Sequence, residues 1–260
     1  MRTVFVIAAV VVSVSFARSD AAIVERTVEY RHLEDTLKGY LVYDDAAQGQ
    51  RPGVLVVHEW WGLNDYAKGR ARQLAALGYV AFALDMYGDG RSTREAHEAK
   101  SWSGRFYGKP LQHQRALAGL EVLRGHERVA PGKLAVIGYC FGGSTALSLA
   151  YSGADVAVAV SFHGNLVLPR PSADIAARIL VCHGADDPFV TDDDVRAFQE
   201  AMRRLGIDWQ LIAYGGARHS FTNPGADRAG IDGVAYDKAA DRCSWRHMLM
   251  LFEETFAGPK

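Results

Sequence analysis

The chain has few cysteines and almost no net charge, and these two shortages exclude several classes of protein. Its three cysteines, Cys140, Cys182 and Cys243, form no CxxC pair and stand in no Cys/His cluster. Structural zinc sites need such spacing, so we predict no metal site. The formal net charge of −1 at pH 7 provides no long-range field for nucleic acid or for an anionic membrane, so neither is expected as a partner.

Long apolar runs are also scarce, and the one at the amino terminus predicts export. Residues 4–16 are almost wholly apolar, follow the positively charged Arg2, and precede small residues at Ala17 and Ala21. This run is shorter than the ~20 residues that cross a bilayer, which favours a cleaved secretory signal over an uncleaved anchor. We therefore predict a signal over residues 1–21, cleaved near Ala17 or Ala21, a periplasmic or secreted chain, and no stable membrane insertion.

The remaining residues, 22–260, are predicted to form one α/β domain. Predicted strands cover residues 22–30, 37–43, 54–57, 79–84, 134–137, 156–162, 179–183 and 210–214, and predicted helices cover residues 66–77, 111–124, 145–151, 193–205 and 236–256. The first two strands are expected to form an antiparallel pair. The alternation of strands and helices that follows indicates a mostly parallel central sheet flanked by helices.

Residues 138–142 read Gly-Tyr-Cys-Phe-Gly and connect a predicted strand to a predicted helix. This Gly-x-Cys-x-Gly pattern is typical of a nucleophile elbow, a turn so tight that glycine is needed on both sides of the nucleophile. The N–H groups at the start of the following helix would favour a thiolate at Cys140. The alternative is that Cys140 is a small buried apolar residue.

Two further residues follow Cys140 in the order that hydrolases of the α/β type need, which is nucleophile, acid and base. Asp187 stands in the loop after the predicted strand 179–183. It is preferred to Asp186 because the residue before Pro188 is held extended. His219 stands in the loop after the last predicted strand. Aspartates in this loop could also be plain turn formers.

The chain has nine histidines, so a single histidine is weak evidence for catalysis. His58, His163 and His183 stand near the ends of predicted strands, and we expect them to make contacts with the backbone. His219 is singled out because two glycines shortly before it indicate an unusual backbone path.

The strand over residues 54–57 runs into a loop that reads His-Glu-Trp-Trp-Gly over residues 58–62. Hydrolases of this type place one oxyanion-hole N–H in this loop and the other directly after the nucleophile. The predicted donors are therefore the backbone N–H groups of Trp60 and Phe141.

Four pieces of the chain together resemble the dienelactone hydrolase family, whose members have the α/β-hydrolase fold. They are residues 58–64 (His-Glu-Trp-Trp-Gly-Leu-Asn), residues 138–143 (Gly-Tyr-Cys-Phe-Gly-Gly), Asp187 and residues 216–221 (Gly-Ala-Arg-His-Ser-Phe). The resemblance implies a catalytic triad of Cys140, His219 and Asp187. It also implies that Glu59 is a partner of the sulfur, holding its proton at rest and helping to release it when substrate arrives.

Two positions depart from that family. In dienelactone hydrolase itself, the substrate carboxylate is held by one arginine shortly after an Asp-x-Tyr segment and by another four residues after the catalytic histidine. Here Asp89 and Asn223 stand at those places, and Arg91 is displaced. Neither aspartate nor asparagine offers the fork of cationic donors that clamps a carboxylate. A dienelactone is therefore not the expected substrate.

The substrate pocket is expected to be largely aromatic. Residues 87–109 lack clear periodicity and are expected to cross the catalytic end of the sheet. The candidate lining residues, for which ordinary core packing is an equal alternative, are Trp61, Tyr87, Arg91, Phe221 and Asn223.

These observations predict a hydrolase of small-molecule carboxylic esters or lactones that forms an acyl-thioester on Cys140 and needs no cofactor. Two alternatives stay open. One is a thiol redox sensor built on Cys140, which would need a resolving cysteine. The other is a non-catalytic ligand-binding protein on the same fold. If Cys140 is a free thiol, Cys182 and Cys243 could pair in an oxidising compartment.

Overall fold

A computed structural model describes residues 22–171 and 173–257. The described strands are β1 (Ile23–His32), β2 (Asp35–Asp44), β3 (Arg51–Val57), β4 (Val80–Ala83), β5 (Val129–Tyr139), β6 (Val158–Phe162), β7 (Arg178–Gly184) and β8 (Trp209–Tyr214). The described helices are α1 (Asp65–Ala76), α2 (Ala96–Ser103), α3 (Pro110–Arg124), α4 (Phe141–Tyr151), α5 (Asp192–Leu205) and α6 (Lys238–Phe256). A short 3-10 helix (Ala226–Ala229) precedes α6. The predicted signal over residues 1–21 lies outside the described residues.

The strands form one sheet in the order β1-β2-β4-β3-β5-β6-β7-β8. β2 is antiparallel to both β1 and β4, and the other neighbouring pairs are parallel. The predicted antiparallel entry pair and mostly parallel sheet are confirmed. Because β3 to β8 run in one direction, the loops that follow them meet at the carboxyl edge of the sheet, where α/β proteins bind their ligands.

Successive residues of the central strands point to opposite faces and so build two core layers. In β3, Leu55 and Val57 pack with residues of α3, α4 and α5. Val54 and Val56 pack with residues of α1 and α6 on the other face. Buried strands of this kind are apolar throughout rather than alternating, which is why short apolar runs were sufficient to predict them.

Helix α2 lies within residues 87–109, where the sequence predicts no helix. It has eight residues, and only Ala99 and Ser103 are buried, so it carries too few apolar positions to produce a periodic pattern. Strand β5 also begins five residues before its predicted start. The prediction missed its first part, up to Lys133, because that part is mostly exposed and does not form a continuous apolar run. Among the described residues, no helix is both long enough and apolar enough to cross a bilayer.

A buried ion pair joins α1 to α6. Arg70 Nη2 lies 2.5 Å from Asp241 Oδ1, and the two side chains are only 7% and 15% exposed. The same nitrogen donates to the carbonyl oxygen of Thr222 at 2.5 Å. The guanidinium group also lies over three aromatic rings, those of Tyr66, Tyr139 and Trp245. Through Thr222, this pair anchors the loop that follows β8.

The substitution Asp241→Ala should lower the free energy of unfolding by about 3 kcal/mol, because it leaves the buried Arg70 guanidinium without its counter-charge. The control is Arg196→Ala, which removes one partner of the exposed pair between Arg196 and Asp193 and should change stability by no more than about 0.5 kcal/mol. Urea denaturation of the three proteins measures both effects. Equal losses in the two variants would contradict the structural importance of the buried pair.

Candidate active site

Cys140 lies on the turn between β5 and α4, at the carboxyl edge of the sheet. Its backbone has φ 53° and ψ −116°, a conformation that residues other than glycine rarely adopt. A Cβ atom on Gly138 would lie 1.8 Å from the carbonyl oxygen of Gly142, and one on Gly142 would lie 2.3 Å from the carbonyl oxygen of Val57. The two glycines of the motif are therefore required by backbone contacts, and the turn has the geometry of a nucleophile elbow.

The structure brings Cys140, His219 and Asp187 together from three loops. His219 Nε2 lies 3.0 Å from Cys140 Sγ, and His219 Nδ1 lies 2.8 Å from Asp187 Oδ2. The other carboxylate oxygen of Asp187 accepts the backbone N–H of Phe189 at 2.9 Å. Asp186 is exposed, so Asp187 is the aspartate at this site. These distances are within hydrogen-bond reach, as a nucleophile, a base and an orienting acid require, and the three roles stay a prediction.

The electrostatics of the site favour a charged imidazole. Burial by itself would lower the pKa of His219, but the Cys140 sulfur and the Asp187 carboxylate outweigh it and raise that pKa to about 10. Interaction with an anionic sulfur on one side and a carboxylate on the other stabilises the imidazolium. The surroundings of His219 therefore favour its protonated form.

Glu59 is buried next to this site and has two hydrogen-bond donors of its own. Its Oε1 accepts the hydroxyl of Ser220 at 2.9 Å, and its Oε2 accepts the side-chain amide of Asn223 at 2.6 Å. Burial raises the pKa of the Glu59 carboxyl, and the two donors only partly oppose this. In the described structure the sulfur is hydrogen-bonded to His219. Proton exchange between Glu59 and the sulfur stays a prediction.

The N–H groups of Phe141 and Trp60 are available at the site. Phe141 is the first residue of α4, so its N–H has no acceptor within the helix. Among the backbone hydrogen bonds of the described residues, Trp60 N–H has no acceptor either. The Trp60 carbonyl accepts the Tyr87 hydroxyl at 3.1 Å, which restrains this peptide. Their role as an oxyanion hole stays a prediction.

The predicted pocket residues lie in different places, and Phe221 and Tyr87 are buried in the core, the alternative that the sequence left open. Phe221 is fully buried in the layer that contains α1 and α6, so the core explains it. Tyr87 is 3% exposed, and its hydroxyl donates to the Trp60 carbonyl oxygen. Asn223 is bound to Glu59. Arg91 is exposed, and its Nε donates to the carbonyl oxygen of Gly88 at 3.1 Å. Trp61 is half-buried and packs edge-on against Trp60 at 4.8 Å between ring centroids.

The sequence did not indicate three residues that the structure places at the site. Phe189 is 51% exposed, and its ring lies 5.2 Å from the His219 ring between centroids. Ser220 and Thr222 follow His219 and turn their hydroxyls to Glu59 and to His163 respectively. A hydroxyl in a loop carries no sequence signal for such a contact. The position of Phe189 two residues after Asp187 could have been used as a signal.

The other two cysteines are not bonded to each other or to Cys140. Cys182 is buried in β7, Cys243 is half-buried in α6, and all three cysteines are free thiols. The structure therefore corrects the sequence-based option that Cys182 and Cys243 form a disulfide. Burial raises the pKa of Cys182 to about 12, which keeps this thiol protonated and unreactive.

The position of these residues defines the class of the protein. A mostly parallel sheet with a candidate nucleophile on the turn after β5, an acid after β7 and a histidine after β8 is the arrangement of an α/β-hydrolase. Residues 37–256 match the dienelactone hydrolase family, and the chain belongs to that family. It is accordingly an enzyme of the lactone and ester hydrolase type.

Similar proteins agree with this assignment. A crystal structure of a dienelactone hydrolase-like promiscuous phosphotriesterase from metagenomic libraries is 42% identical, with a TM-score of 0.87, and the match covers 91% of this chain and 99% of that one. A Yersinia pestis protein provisionally named a carboxymethylenebutenolidase is 27% identical over 85% of this chain and 84% of its own length. A dienelactone hydrolase structure from Anabaena variabilis, 23% identical with a TM-score of 0.61 over 87% of this chain and 98% of that one, supports the fold.

The substitution Cys140→Ala should lower the pKa of His219 from about 10 towards its ordinary value of 6.5, because the sulfur is the strongest of the influences that raise it. The midpoint can be followed by NMR on histidine labelled with 15N. Cys243→Ala is the matched control, since it removes a thiol in α6, and it should leave the midpoint unchanged. A midpoint that stays near 10 in Cys140→Ala would contradict the coupling between sulfur and imidazole.

Proposed function

We propose that the chain hydrolyses small neutral carboxylic esters or lactones through a thioester on Cys140, with His219 as the base and Asp187 as the acid that orients it. The observation that carries this proposal is the continuous contact from Asp187 Oδ2 to His219 Nδ1 at 2.8 Å and from His219 Nε2 to Cys140 Sγ at 3.0 Å. These distances are within the range of a nucleophile and base that act together.

In the first half of the reaction, the Cys140 thiolate attacks the carbonyl carbon and a C–S bond forms. The negative charge moves to the carbonyl oxygen, where the N–H groups of Phe141 and Trp60 receive it. The loss of one such donor typically costs about 3 kcal/mol. The bond from carbon to the leaving oxygen then breaks, and the His219 imidazolium gives its proton to that oxygen. The products of this half are an alcohol and an acyl-thioester.

In the second half, water replaces the alcohol. His219, now neutral, takes a proton from the water, and the resulting hydroxide attacks the thioester carbonyl. The C–S bond breaks, the sulfur leaves as a thiolate, and the carboxylic acid departs. Asp187 keeps the Nδ1–H of His219 pointed at its own carboxylate, so Nε2 is the nitrogen that faces the sulfur and the water.

The groups around the sulfur favour a neutral substrate. The residue four positions after His219 is Asn223, and its amide is already bound to the Glu59 carboxyl. Arg91 is bound to the Gly88 carbonyl of its own loop. The exposed ring that lies against His219 is instead that of Phe189, which is aromatic and uncharged. A substrate carboxylate would lose water close to the buried Glu59 carboxyl and gain no fork of cationic donors.

An aryl phosphotriester is a second candidate substrate, because the 42% identical relative is described as a promiscuous phosphotriesterase. The same sulfur would attack phosphorus, an S–P bond would form, and the aryl oxide would leave. The phosphoryl oxygen would occupy the place of the carbonyl oxygen next to the two N–H groups.

We also propose that the chain is exported, with cleavage near Ala17 or Ala21, on the basis of the apolar run over residues 4–16 behind Arg2. Expression of the full chain in a bacterial host, fractionation, and sequencing of the amino terminus of the recovered protein test this. An amino terminus close to residue 18 or 22 is expected. Recovery from the cytoplasm with residue 1 retained would contradict it.

Cys140→Ala and His219→Ala should each lower kcat/KM for a neutral aryl ester by roughly a thousandfold or more, since the nucleophile and base act as a unit. The protein without residues 1–21 is assayed on a short-chain aryl ester, a simple lactone, a dienelactone and an aryl phosphotriester. Cys243→Ala is the control and should keep full activity. The neutral ester should be turned over at least about tenfold more efficiently than the dienelactone, which corresponds to about 1.4 kcal/mol.

Two results would contradict the proposal. One is ester turnover that survives Cys140→Ala. The other is no turnover of any of the four substrates, combined with oxidation of Cys140 by one equivalent of peroxide, which would favour the thiol sensor.

A further inference from the structure

His163 occupies a position that the reaction above does not use. It follows β6, its backbone has φ 41°, and its side chain is 1% exposed. Its Nδ1 lies 3.1 Å from the backbone nitrogen of Cys140, and its Nε2 lies 2.6 Å from Thr222 Oγ1. The imidazole thus touches both the turn that carries the sulfur and the loop that carries His219.

The chemistry of the contacts fixes the direction of both hydrogen bonds of a neutral His163. A backbone N–H can only donate, so Nδ1 of His163 accepts from Cys140. In a neutral imidazole the proton is then on Nε2, which donates to Thr222 Oγ1. The Thr222 hydroxyl also shares a hydrogen bond of 2.6 Å with the Tyr66 hydroxyl, which links it to α1. The two bonds of His163 point the same way, from the Cys140 amide to Thr222, and bonds aligned in this way strengthen one another.

We propose that His163, in this neutral form, is a positioning residue that holds the Cys140 turn in register with the loop of His219. The inference rests on the proposed function in that Cys140 is taken as the nucleophile. His163 touches no reacting atom and acts only through the backbone of Cys140 and the side chain of Thr222.

The backbone near both ends of this connection is in an unfavourable conformation that the contacts of His163 help to maintain. Cys140 has φ 53° and Ser220 has φ 58°, and residues in this region persist only when their surroundings fix them. The Cys140 N–H also reaches the carbonyl oxygen of Phe162 at 3.0 Å, so His163 supplies its second acceptor. The carbonyl oxygen of Thr222, three residues after His219, accepts a hydrogen bond from Arg70.

The surroundings of His163 keep its ring neutral. The rings of His219, Phe221 and Tyr139 lie 5.4, 5.3 and 6.1 Å from it between centroids. Burial first, and then the charges of His219 and Arg70, hold the pKa of His163 well below its usual range. A proton on Nδ1 would meet the Cys140 N–H donor head-on, so protonation would break the connection.

The first test reads the tautomer without any turnover. In the 15N NMR spectrum of the histidine-labelled protein, with the signals of His163 identified from their loss in His163→Asn, the Nε2–H tautomer is expected throughout pH 5 to 9 (about the range in which histidine ordinarily titrates). A proton on Nδ1, or a midpoint within that range, would overturn the proposal.

The second test separates positioning from a structural role by paired variants. Asn places an acceptor where Nδ1 stands and tolerates a positive φ, whereas Leu has similar bulk and no acceptor. His163→Leu should lower kcat by about tenfold to a hundredfold with KM little changed, because a small displacement of the nucleophile slows the chemical step. His163→Asn should recover most of this loss.

Leucine at position 163 is strained because the backbone there has a positive φ, and this strain could itself slow the reaction. A second pair of variants, at Thr222, avoids it. Thr222→Val removes the hydroxyl at constant shape and should lower kcat by several-fold, and by no more than about tenfold. Thr222→Ser retains the hydroxyl, and its kcat should stay within about twofold of the wild-type value. Circular dichroism and thermal unfolding confirm that each variant is folded. Folded His163→Leu and Thr222→Val proteins with wild-type kcat would overturn the proposal.

The outcomes distinguish this proposal from the proposed function. If the wild-type protein hydrolyses no ester, the proposed function fails, and His163 is judged by the tautomer and by the rate at which iodoacetamide alkylates Cys140. That rate should fall in His163→Leu and recover in His163→Asn. Equal alkylation rates in these two variants and the wild type would overturn the positioning role.

Discussion

The turn at Cys140 is the constraint on which the site depends. A cysteine at φ 53° between a strand and a helix stands at the carboxyl edge of the sheet, with its sulfur 3.0 Å from His219 Nε2. That turn is possible only because Gly138 and Gly142 have no Cβ atoms to strike the backbone. The parallel strands on either side then bring the loops after β7 and β8 to the same edge, so that His219 and Asp187 meet the sulfur.

The two buried carboxyl groups near this turn, those of Asp187 and Glu59, have different partners and therefore different tendencies to bind a proton. Asp187 is paired with His219 and accepts a backbone N–H as well, and it serves to keep a proton on the imidazole. Glu59 is equally buried, but its partners are the neutral donors Ser220 and Asn223, and its pKa is raised. One carboxyl group therefore supports a charged neighbour, and the other is suited to hold a proton.

Most of the fold and the three central residues of the site could be predicted from the sequence, because they leave local signals. Buried strands are short apolar runs, and the Gly-x-Cys-x-Gly turn has a steric requirement. The contacts of Glu59 with Ser220 and Asn223 join residues more than 160 positions apart, and no local pattern records them. His163 was expected to contact the backbone, as it does at Cys140, but its partner Thr222 was not indicated. For Phe221 the sequence left core and pocket as equal alternatives, because a single aromatic residue in a loop is compatible with both, and the structure places it in the core.

The central claim is that Cys140 becomes covalently acylated, and intact-protein mass spectrometry tests it most directly. The protein is mixed with an activated aryl ester and quenched in acid within the first turnovers, and the modified peptide is then identified. The account predicts a mass increase equal to one acyl group on the peptide with Cys140, lost on treatment with neutral hydroxylamine and missing in Cys140→Ala. Hydrolysis of the ester with no acyl group on Cys140 at any quench time, or an acyl group on another residue, would contradict it.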